Sequence, residues 1–351
     1  MYSFFVASCS ESNETVDEGN SDTYGSNGYT NNGSEQGSTS SSDILFIEVN
    51  QLGVQSDSGE SSGSGDGYGN NYGSGYGDDS SSSEEGEDGT FNNPNGIAID
   101  DQGNIYVTEF SGNRVQKFNS DGEFISKWGG TGSNNGELLN PTGIAIDSLG
   151  NIYISESGNH RVQKFTSEGV LLTTFGAEGS GDGQFISAMV LAIDHLDNIY
   201  VTDWGNGRIQ VFDSTGTYLK TISSQGSEPG QLSNPTGIKI DTNDIIWVVD
   251  RGNHRIQKFS LQGEFIESFG HSGTQAGEFS SPTSINFDSS GNFYISEVGN
   301  SRVQAFDETN QMLGQVTDGE LNNPHGLVFD SRGYLYVTDT GNNLVRIFSR
   351  Q

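Results

Sequence analysis

Short runs of apolar residues separated by polar turns recur along the chain from about Phe91 onward. In the first copy, the run Gly96–Asp100 is followed by a polar turn and then by Ile105–Val107, where β-branched and aromatic residues dominate. Arg114–Phe118 and a run that begins near Phe124 complete the copy. Period-two alternation favours strands, and the Gly-Asn pairs between runs favour turns. Each copy therefore predicts four short strands and no helix.

Six such copies follow one another at a nearly constant interval. The aspartates that close the first strand are spaced by 47, 47, 47, 47 and 42 residues, at Asp100, Asp147, Asp194, Asp241, Asp288 and Asp330. Four-stranded repeats of this length are typical of propeller blades rather than of solenoids. The sequence thus predicts an all-β fold, with a six-bladed β-propeller of four-stranded antiparallel blades over residues 90–351.

The repeat is similar in detail to a known family. Its P-x-G-I-A-I-D and G-N-H-R-I-Q-K-F segments resemble NHL repeats, and GNHR itself occurs at Gly158–Arg161 and Gly252–Arg255. Two copies depart from the pattern: Ala188–Val190 replaces Pro-x-Gly in the third, and Leu344 replaces an arginine in the sixth. The resemblance implies a six-bladed propeller but no single activity, because propellers include both binding proteins and enzymes.

The segment before the repeats has a different composition. The formal net charge of the chain is −32, and residues 1–90 contain 17 acidic residues and no Lys or Arg. Such a composition buries too little apolar surface to fold alone. Residues 1–42 are predicted to be a disordered acidic Gly/Ser-rich leader, and residues 51–89 a flexible Gly/Ser/Tyr linker. So acidic a chain repels phosphate backbones, which argues against nucleic acid as a partner.

One apolar run interrupts this polar segment, within residues 43–50. Its apolar members are Ile44, Leu45, Phe46, Ile47 and Val49. The sixth copy reaches only its third strand, Leu344–Phe348, and an open sheet edge there would favour aggregation. Residues 43–50 are therefore predicted to be the closure strand of blade six. Closure within one chain is favoured, since the resemblance implies it; donation to a neighbouring chain would instead link subunits.

The amino terminus permits two interpretations. Val6–Cys9 fits a bacterial lipobox, so that residues 1–9 would be a truncated lipoprotein signal with Cys9 as the lipidated residue. Against this, no Lys or Arg precedes Cys9, and the apolar stretch is shorter than that of an ordinary signal peptide. The alternative is an ordinary apolar terminus with an idle cysteine. A lipid anchor would be the protein's only contact with a membrane.

Each copy places an acidic residue after its second strand, on the same face as the loop before the first strand. The six acids are Glu109, Glu156, Asp203, Asp250, Glu297 and Asp339. They could form a ring for Ca²⁺, which lactonase-like propellers hold in their channel, so Ca²⁺ is the one cofactor left open. Pairing with the arginines that recur beside them is favoured, because buried charges need partners. Leu344 would leave Asp339 to find another partner.

Positions that vary within the strict repeat are not dictated by the fold. The candidate binding residues at these positions are Phe110, Trp204, Arg251, Met189 and His325. The sequence predicts a non-catalytic, extracellular or cell-surface propeller that binds a protein or a small polar or glycan ligand on one face. Two alternatives stay open: a calcium-dependent hydrolase or lyase, and a structural subunit of a surface assembly linked by donated β-strands.

Overall fold

The computed structural model describes residues 46–53, 86–316 and 321–350 of the chain. The predicted leader with Cys9, most of the linker, and Ile44 and Leu45 of the closure strand lie outside the described residues. Within the described residues every regular element is a strand, apart from two single-turn 3₁₀ helices. No helix in this part of the chain is long and apolar enough to cross a bilayer.

The strands begin with β1 (Phe46–Leu52) and then form blades in chain order. Blade one contains β2 (Pro94–Ile99), β3 (Ile105–Glu109), β4 (Arg114–Phe118) and β5 (Phe124–Gly129). Blade two contains β6 (Pro141–Ile146), β7 (Ile152–Glu156), β8 (Arg161–Phe165) and β9 (Leu171–Phe175). Blade three contains β10 (Ala188–Ile193), β11 (Ile199–Asp203), β12 (Arg208–Phe212) and β13 (Tyr218–Ile222).

The second half of the propeller repeats this order. Blade four contains β14 (Pro235–Ile240), β15 (Ile245–Asp250), a 3₁₀ turn (Arg251–Asn253), β16 (Arg255–Ser260) and β17 (Phe265–Phe269). A two-stranded parallel pair follows, β18 (His271–Ser272) and β19 (Glu278–Phe279). Blade five contains β20 (Pro282–Phe287), β21 (Phe293–Glu297), β22 (Arg302–Phe306) and β23 (Met312–Val316).

Blade six is built from both ends of the described chain. It contains β24 (Pro324–Phe329), β25 (Leu335–Asp339), a 3₁₀ turn (Thr340–Asn342) and β26 (Leu344–Arg350). Its fourth strand is β1, which pairs antiparallel with β26 of the same chain. Thr338 donates a hydrogen bond to the carbonyl of Asn95 in blade one at 2.8 Å, where the ring closes. The six-bladed all-β propeller is thus confirmed.

The strand β1 ends two residues beyond the predicted boundary and contains a bulge. Glu48 pairs with Phe348 and Asn50 with Ile347, so that Val49 is an extra residue. An extra residue moves the side chains that follow it to the opposite face of the sheet. Phe46 is accordingly buried between blades five and six, whereas Leu52 is buried between blades six and one. This second anchor explains why the strand continues to Leu52.

The hydrophobic core is divided into six clusters, each between two neighbouring blades. Each cluster combines aliphatic residues of the first two strands with an aromatic residue of the third, such as Ile105 and Phe118 in blade one. Burial of such side chains contributes about 1.5–3 kcal/mol each. The first strands of all six blades surround a central channel.

Candidate functional site

The six repeated acids are fully buried and lie in ion pairs. In blades one to five, the acid accepts a hydrogen bond from the arginine Nε that begins the third strand. The pairs are Glu109–Arg114 (2.6 Å), Glu156–Arg161 (2.6 Å), Asp203–Arg208 (2.8 Å), Asp250–Arg255 (2.7 Å) and Glu297–Arg302 (2.6 Å). The structure thus places these acids in the arginine pairs that the sequence favoured over a calcium ring.

The remaining atoms of each pair are also engaged. Glu156 accepts hydrogen bonds from the Gln163 side chain at 2.8 Å and from the Leu139 amide at 3.0 Å. Arg161 donates to the carbonyls of Asn134 and Glu137, which lie in the loop before the blade. The pair therefore ties its loop to the third strand, and its oxygen atoms leave little capacity for a cation.

Blade six keeps the acid but takes its cation from a different position. Asp339 pairs with Arg346 Nε at 2.6 Å, two residues beyond Leu344. Arg346 also binds Glu48 of β1 at 2.6 Å. Burial alone would lower the pKa of Arg346, but the hydrogen bonds with Asp339 and Glu48 outweigh it and raise that pKa. The repeated pair is thus preserved here with help from the closure strand.

The histidines of the two GNHR segments have a structural role. His160 and His254 adopt φ values of 53° and 54°, in the left-handed region. Their Nδ1 atoms accept hydrogen bonds from the amides of Ser187 and Ser281 in the next blade, at 3.1 and 3.3 Å. Asn113 occupies the same repeat position and accepts the corresponding bond. Histidine and asparagine are therefore interchangeable here by structure.

The residues that follow the blade-opening position form a ring around one end of the channel. Thr142, Thr236 and Thr283 are buried, and each donates to a carbonyl of the next blade. Asn95, Met189 and His325 occupy the same position in blades one, three and six. The Nδ1 atom of His325 lies 3.4 Å from the Asn95 side-chain nitrogen. The threonines thus link neighbouring blades, whereas Asn95, Met189 and His325 place an amide, a thioether and an imidazole at the same level.

The channel encloses a cavity of about 240 Å³ between the first strands of all six blades. Three of the five candidate residues line it, namely Met189, Arg251 and His325. The other two, Phe110 and Trp204, are half-buried and do not belong to the described lining. The structure therefore brings part of the predicted set together, and the binding role of each residue stays a prediction.

Lys239 is a channel residue that the sequence reasoning missed. It lies in the first strand of blade four, at the repeat position that Ala98, Ala145 and Ala192 occupy in the first three blades. The lysine at a position that is otherwise alanine was visible in the sequence. It was not predicted as a site residue, because the candidates were taken from predicted loop positions and not from within the strands. Lys239 lies three residues beyond Thr236 along β14, which places it about 10 Å deeper than the ring that contains His325.

The titratable side chains along the described channel wall are all basic: Lys239, Arg251 and His325. Burial, together with the smaller effect of the positive charge of Arg251, lowers the pKa of His325 to about 3. His325 is therefore neutral at physiological pH. Burial also lowers the pKa of Lys239, and no described residue forms a hydrogen bond or an ion pair with its ammonium group.

A divalent cation does not fit this set of donors. Calcium takes six to eight oxygen ligands, many of them carboxylates, and zinc takes about three protein ligands at a catalytic site. The described channel wall contains one histidine and no Asp or Glu. Across the described residues, no group of three or more His, Cys, Asp or Glu side chains could hold a metal ion.

Solved structures of similar fold include both enzymes and a binding protein. Virginiamycin B lyase from Staphylococcus aureus matches at 16% identity over 73% of this chain and 94% of that one, with a TM-score of 0.54. A gluconolactonase from Xanthomonas campestris matches at 17% identity over 74% and 87%, with a TM-score of 0.59. The nidogen/laminin complex contributes a match at 20% identity over 66% and 83%, with a TM-score of 0.53. At such identities these likenesses show the fold alone.

One further structure is that of a catalytically inactive S. aureus lyase, in which alanine replaces a histidine, with quinupristin. No curated protein matches the chain. The comparisons support a propeller family without confirming the NHL name that the repeat suggested. The sequence profile of the virginiamycin B lyase family matches residues 88–347, and the chain belongs to that family.

Proposed function

We propose that the protein is an enzyme of the lyase or hydrolase type whose chemistry takes place in the central channel, at His325 and Arg251. Family membership supports an enzyme, and the related propellers named above include a lyase and a gluconolactonase. The non-catalytic scaffold that the sequence favoured has no such support. The observation that carries the proposal is the neutral His325, beside a cationic arginine in a channel without carboxylates.

His325 serves as the base in this proposal. A base with a pKa of about 3 accepts protons poorly, so the role requires that negative charge on the bound substrate raise the pKa of His325 towards the working pH. The imidazole can then take a proton from a substrate carbon next to a carbonyl, or from a water molecule. Asn95 lies against Nδ1 and orients the ring. The side-chain nitrogen of Asn95 faces Nδ1, and a 180° rotation of the amide would instead place its oxygen there to accept a hydrogen bond from Nδ1–H. The proposal requires this rotated amide, because the lone pair of Nε2 is then left to accept the proton.

Arg251 stabilises the negative charge that forms as the proton leaves. An enolate or an oxyanion gains most from a cation that is already positioned in a site of low dielectric constant. Elimination would then expel the leaving group from the adjacent carbon, whereas hydrolysis would add water to the carbonyl. His325 and Arg251 support either outcome, and the products distinguish the two.

Mass spectrometry of the products tests the proposal. The purified protein is incubated with quinupristin and, separately, with gluconolactone. Elimination within a ring leaves the mass of the opened product unchanged, while hydrolysis adds one water. We expect His325→Asn to reduce turnover by about 10²–10⁴-fold, the usual contribution of a general base. Unchanged turnover in this variant would place the chemistry elsewhere, and binding without any product would favour the scaffold.

His254→Asn is the matched control for this substitution. It makes the same chemical change at a position where Asn113 already accepts the interblade hydrogen bond, so we expect wild-type turnover.

The pH dependence of the rate gives a second test. Because His325 must be neutral, kcat/KM should fall only as the pH approaches about 3, rather than near the ordinary histidine value of 6.5. Negative charge on a bound substrate raises the pKa of His325, so the acid limb of kcat should lie at a higher pH. An acid limb of kcat/KM near pH 6.5 would show that the pKa of His325 is not lowered in the free enzyme. Circular dichroism at each pH checks that the protein remains folded.

A further inference from the structure

Lys239 is the only Lys, Arg, Asp or Glu within the six described first strands, and it lies along an apolar stretch of the channel. The wall at this depth is formed by residues such as Ile238, Ile240, Ile285 and Val328. No described residue accepts a hydrogen bond from its ammonium group, and the channel wall contains no Asp or Glu. An ammonium group in apolar surroundings destabilises the fold unless it is paired.

The absence of Asp and Glu from the described channel wall contrasts with the acidic composition of the whole chain. The chain contains 47 Asp and Glu residues against 15 Lys and Arg. An acidic surface attracts cations, yet the described wall of the channel cavity contains only basic titratable groups. A cleft lined by one sign of charge concentrates ligands of the opposite sign, so basic groups in the channel favour an anion.

The positions of the basic groups along the channel indicate the length of the ligand. Thr236 lies at the level of His325 in the ring, and Lys239 lies about 10 Å deeper along β14. The aliphatic wall separates the two levels. A molecule that reached both would need an anionic end, an apolar body and a reactive group at the other end.

We propose that Lys239 binds the carboxylate of a small amphipathic molecule, whose apolar body occupies the channel and whose opposite end reaches His325 and Arg251. This rests on the proposed function for the identity of the reacting end, but the anion site itself does not depend on turnover. It assigns the channel to an organic anion, where the calcium-dependent alternative required a divalent cation. Salt-bridge formation with the ligand would supply the partner that Lys239 lacks within the described protein.

Isothermal titration calorimetry with hexanoate tests the site directly. We expect hexanoate to bind wild-type protein about 10- to 100-fold more tightly than hexanamide, which has the same apolar body without the charge. Lys239→Ala should remove this preference. The variant copies the residue of the first three blades, so the fold should hold, and its melting temperature verifies this.

Lys220→Ala is the matched control, since it removes the same charge from the outer strand β13, where Lys220 contacts the carbonyl of Leu261. It should bind hexanoate as wild type does. Equal affinity for hexanoate and hexanamide, or unchanged hexanoate binding in Lys239→Ala, would overturn the proposal. Tighter binding of hexyl phosphate than of hexanoate would overturn the assignment of a carboxylate.

The two proposals fail in different ways. If hexanoate binds through Lys239 while no substrate is turned over, the anion site stands and the enzyme proposal loses its support. If quinupristin or gluconolactone is turned over through His325 while hexanoate does not bind, the enzyme stands and the anion site is wrong.

Discussion

The buried acid–arginine pairs and the channel wall differ in whether their charged side chains have partners of opposite charge. In every blade the acid after the second strand is fully buried and has an arginine within 2.8 Å. Along the described channel wall the titratable groups are basic, none is an Asp or Glu, and Lys239 has no described partner. The acids present in all six blades are compensated by arginines, whereas Lys239, which occurs in one blade, has no described carboxylate partner.

This difference separates structural from functional residues without any comparison between proteins. A charge that the fold needs in each blade must be paired in each blade, because six unpaired buried charges would exceed the stability of a domain. A charge that occurs once can be retained at a modest loss of stability if a ligand uses it. Substitutions in the two sets should therefore affect different quantities: unfolding for the pairs, and binding or turnover for the channel.

Removal of the closure strand should have the largest effect on stability. Without residues 1–53, blade six would lose β1, the buried side chains of Phe46 and Leu52, and the contact of Glu48 with Arg346. The two apolar side chains alone contribute about 3–6 kcal/mol. We expect a large fall in the midpoint of urea unfolding. A variant that lacks only residues 1–42 serves as the control and should unfold as the full chain does.

Light scattering of the same variants tests whose blade the strand completes. If β1 closes its own chain, the full-length protein and the variant without residues 1–42 should have monomer mass at all concentrations. Oligomers that dissociate when residues 1–53 are removed would show that the strand is donated to a neighbour.

Glu156→Gln should have the next largest effect. It removes the charge that compensates buried Arg161 while keeping the size of the side chain. Loss of one member of a buried pair destabilises a protein by about 3–5 kcal/mol. Chemical denaturation gives the free energy of unfolding, with Glu168→Gln as an exposed control in the same blade, expected within about 0.5 kcal/mol of wild type. Equal effects of the two substitutions would contradict the structural role of the pair.

In blade six, two substitutions would return the arginine partner of Asp339 to the position that it has in the other five blades. Arg346→Gln places glutamine where the other blades have it, but leaves Asp339 and Glu48 without their cation. We expect a loss of about 2–3 kcal/mol, because glutamine retains part of the hydrogen bonding. Adding Leu344→Arg should restore most of it, since the arginine then begins the third strand as in blades one to five. No recovery in the double variant would show that β1 requires Arg346 itself.

The sequence predicted the fold well because each blade repeats its own pattern of strands and turns. It identified the acid–arginine pairing but left Asp339 without a partner, since it compared residues only at equal repeat positions. Period-two alternation places Leu344 and Arg346 on one face of β26, which would have suggested the observed partner. The bulge at Val49 has no comparable signal, because it depends on which clusters Phe46 and Leu52 enter. Channel residues were predicted only where they begin a strand or a turn.

Lys239→Ala should have the smallest effect on stability, despite its expected effect on anion binding. Burial lowers the pKa of folded Lys239 below that of the unfolded chain, so at neutral pH the unfolded state holds its proton more readily. The wild-type free energy of unfolding should therefore rise as the pH increases towards about 10.4, and the variant should lack this rise. At pH 7 the variant should be as stable as wild type or slightly more stable. Denaturation at several pH values measures both, and a clear loss of stability at pH 7 would show that Lys239 is paired within the fold.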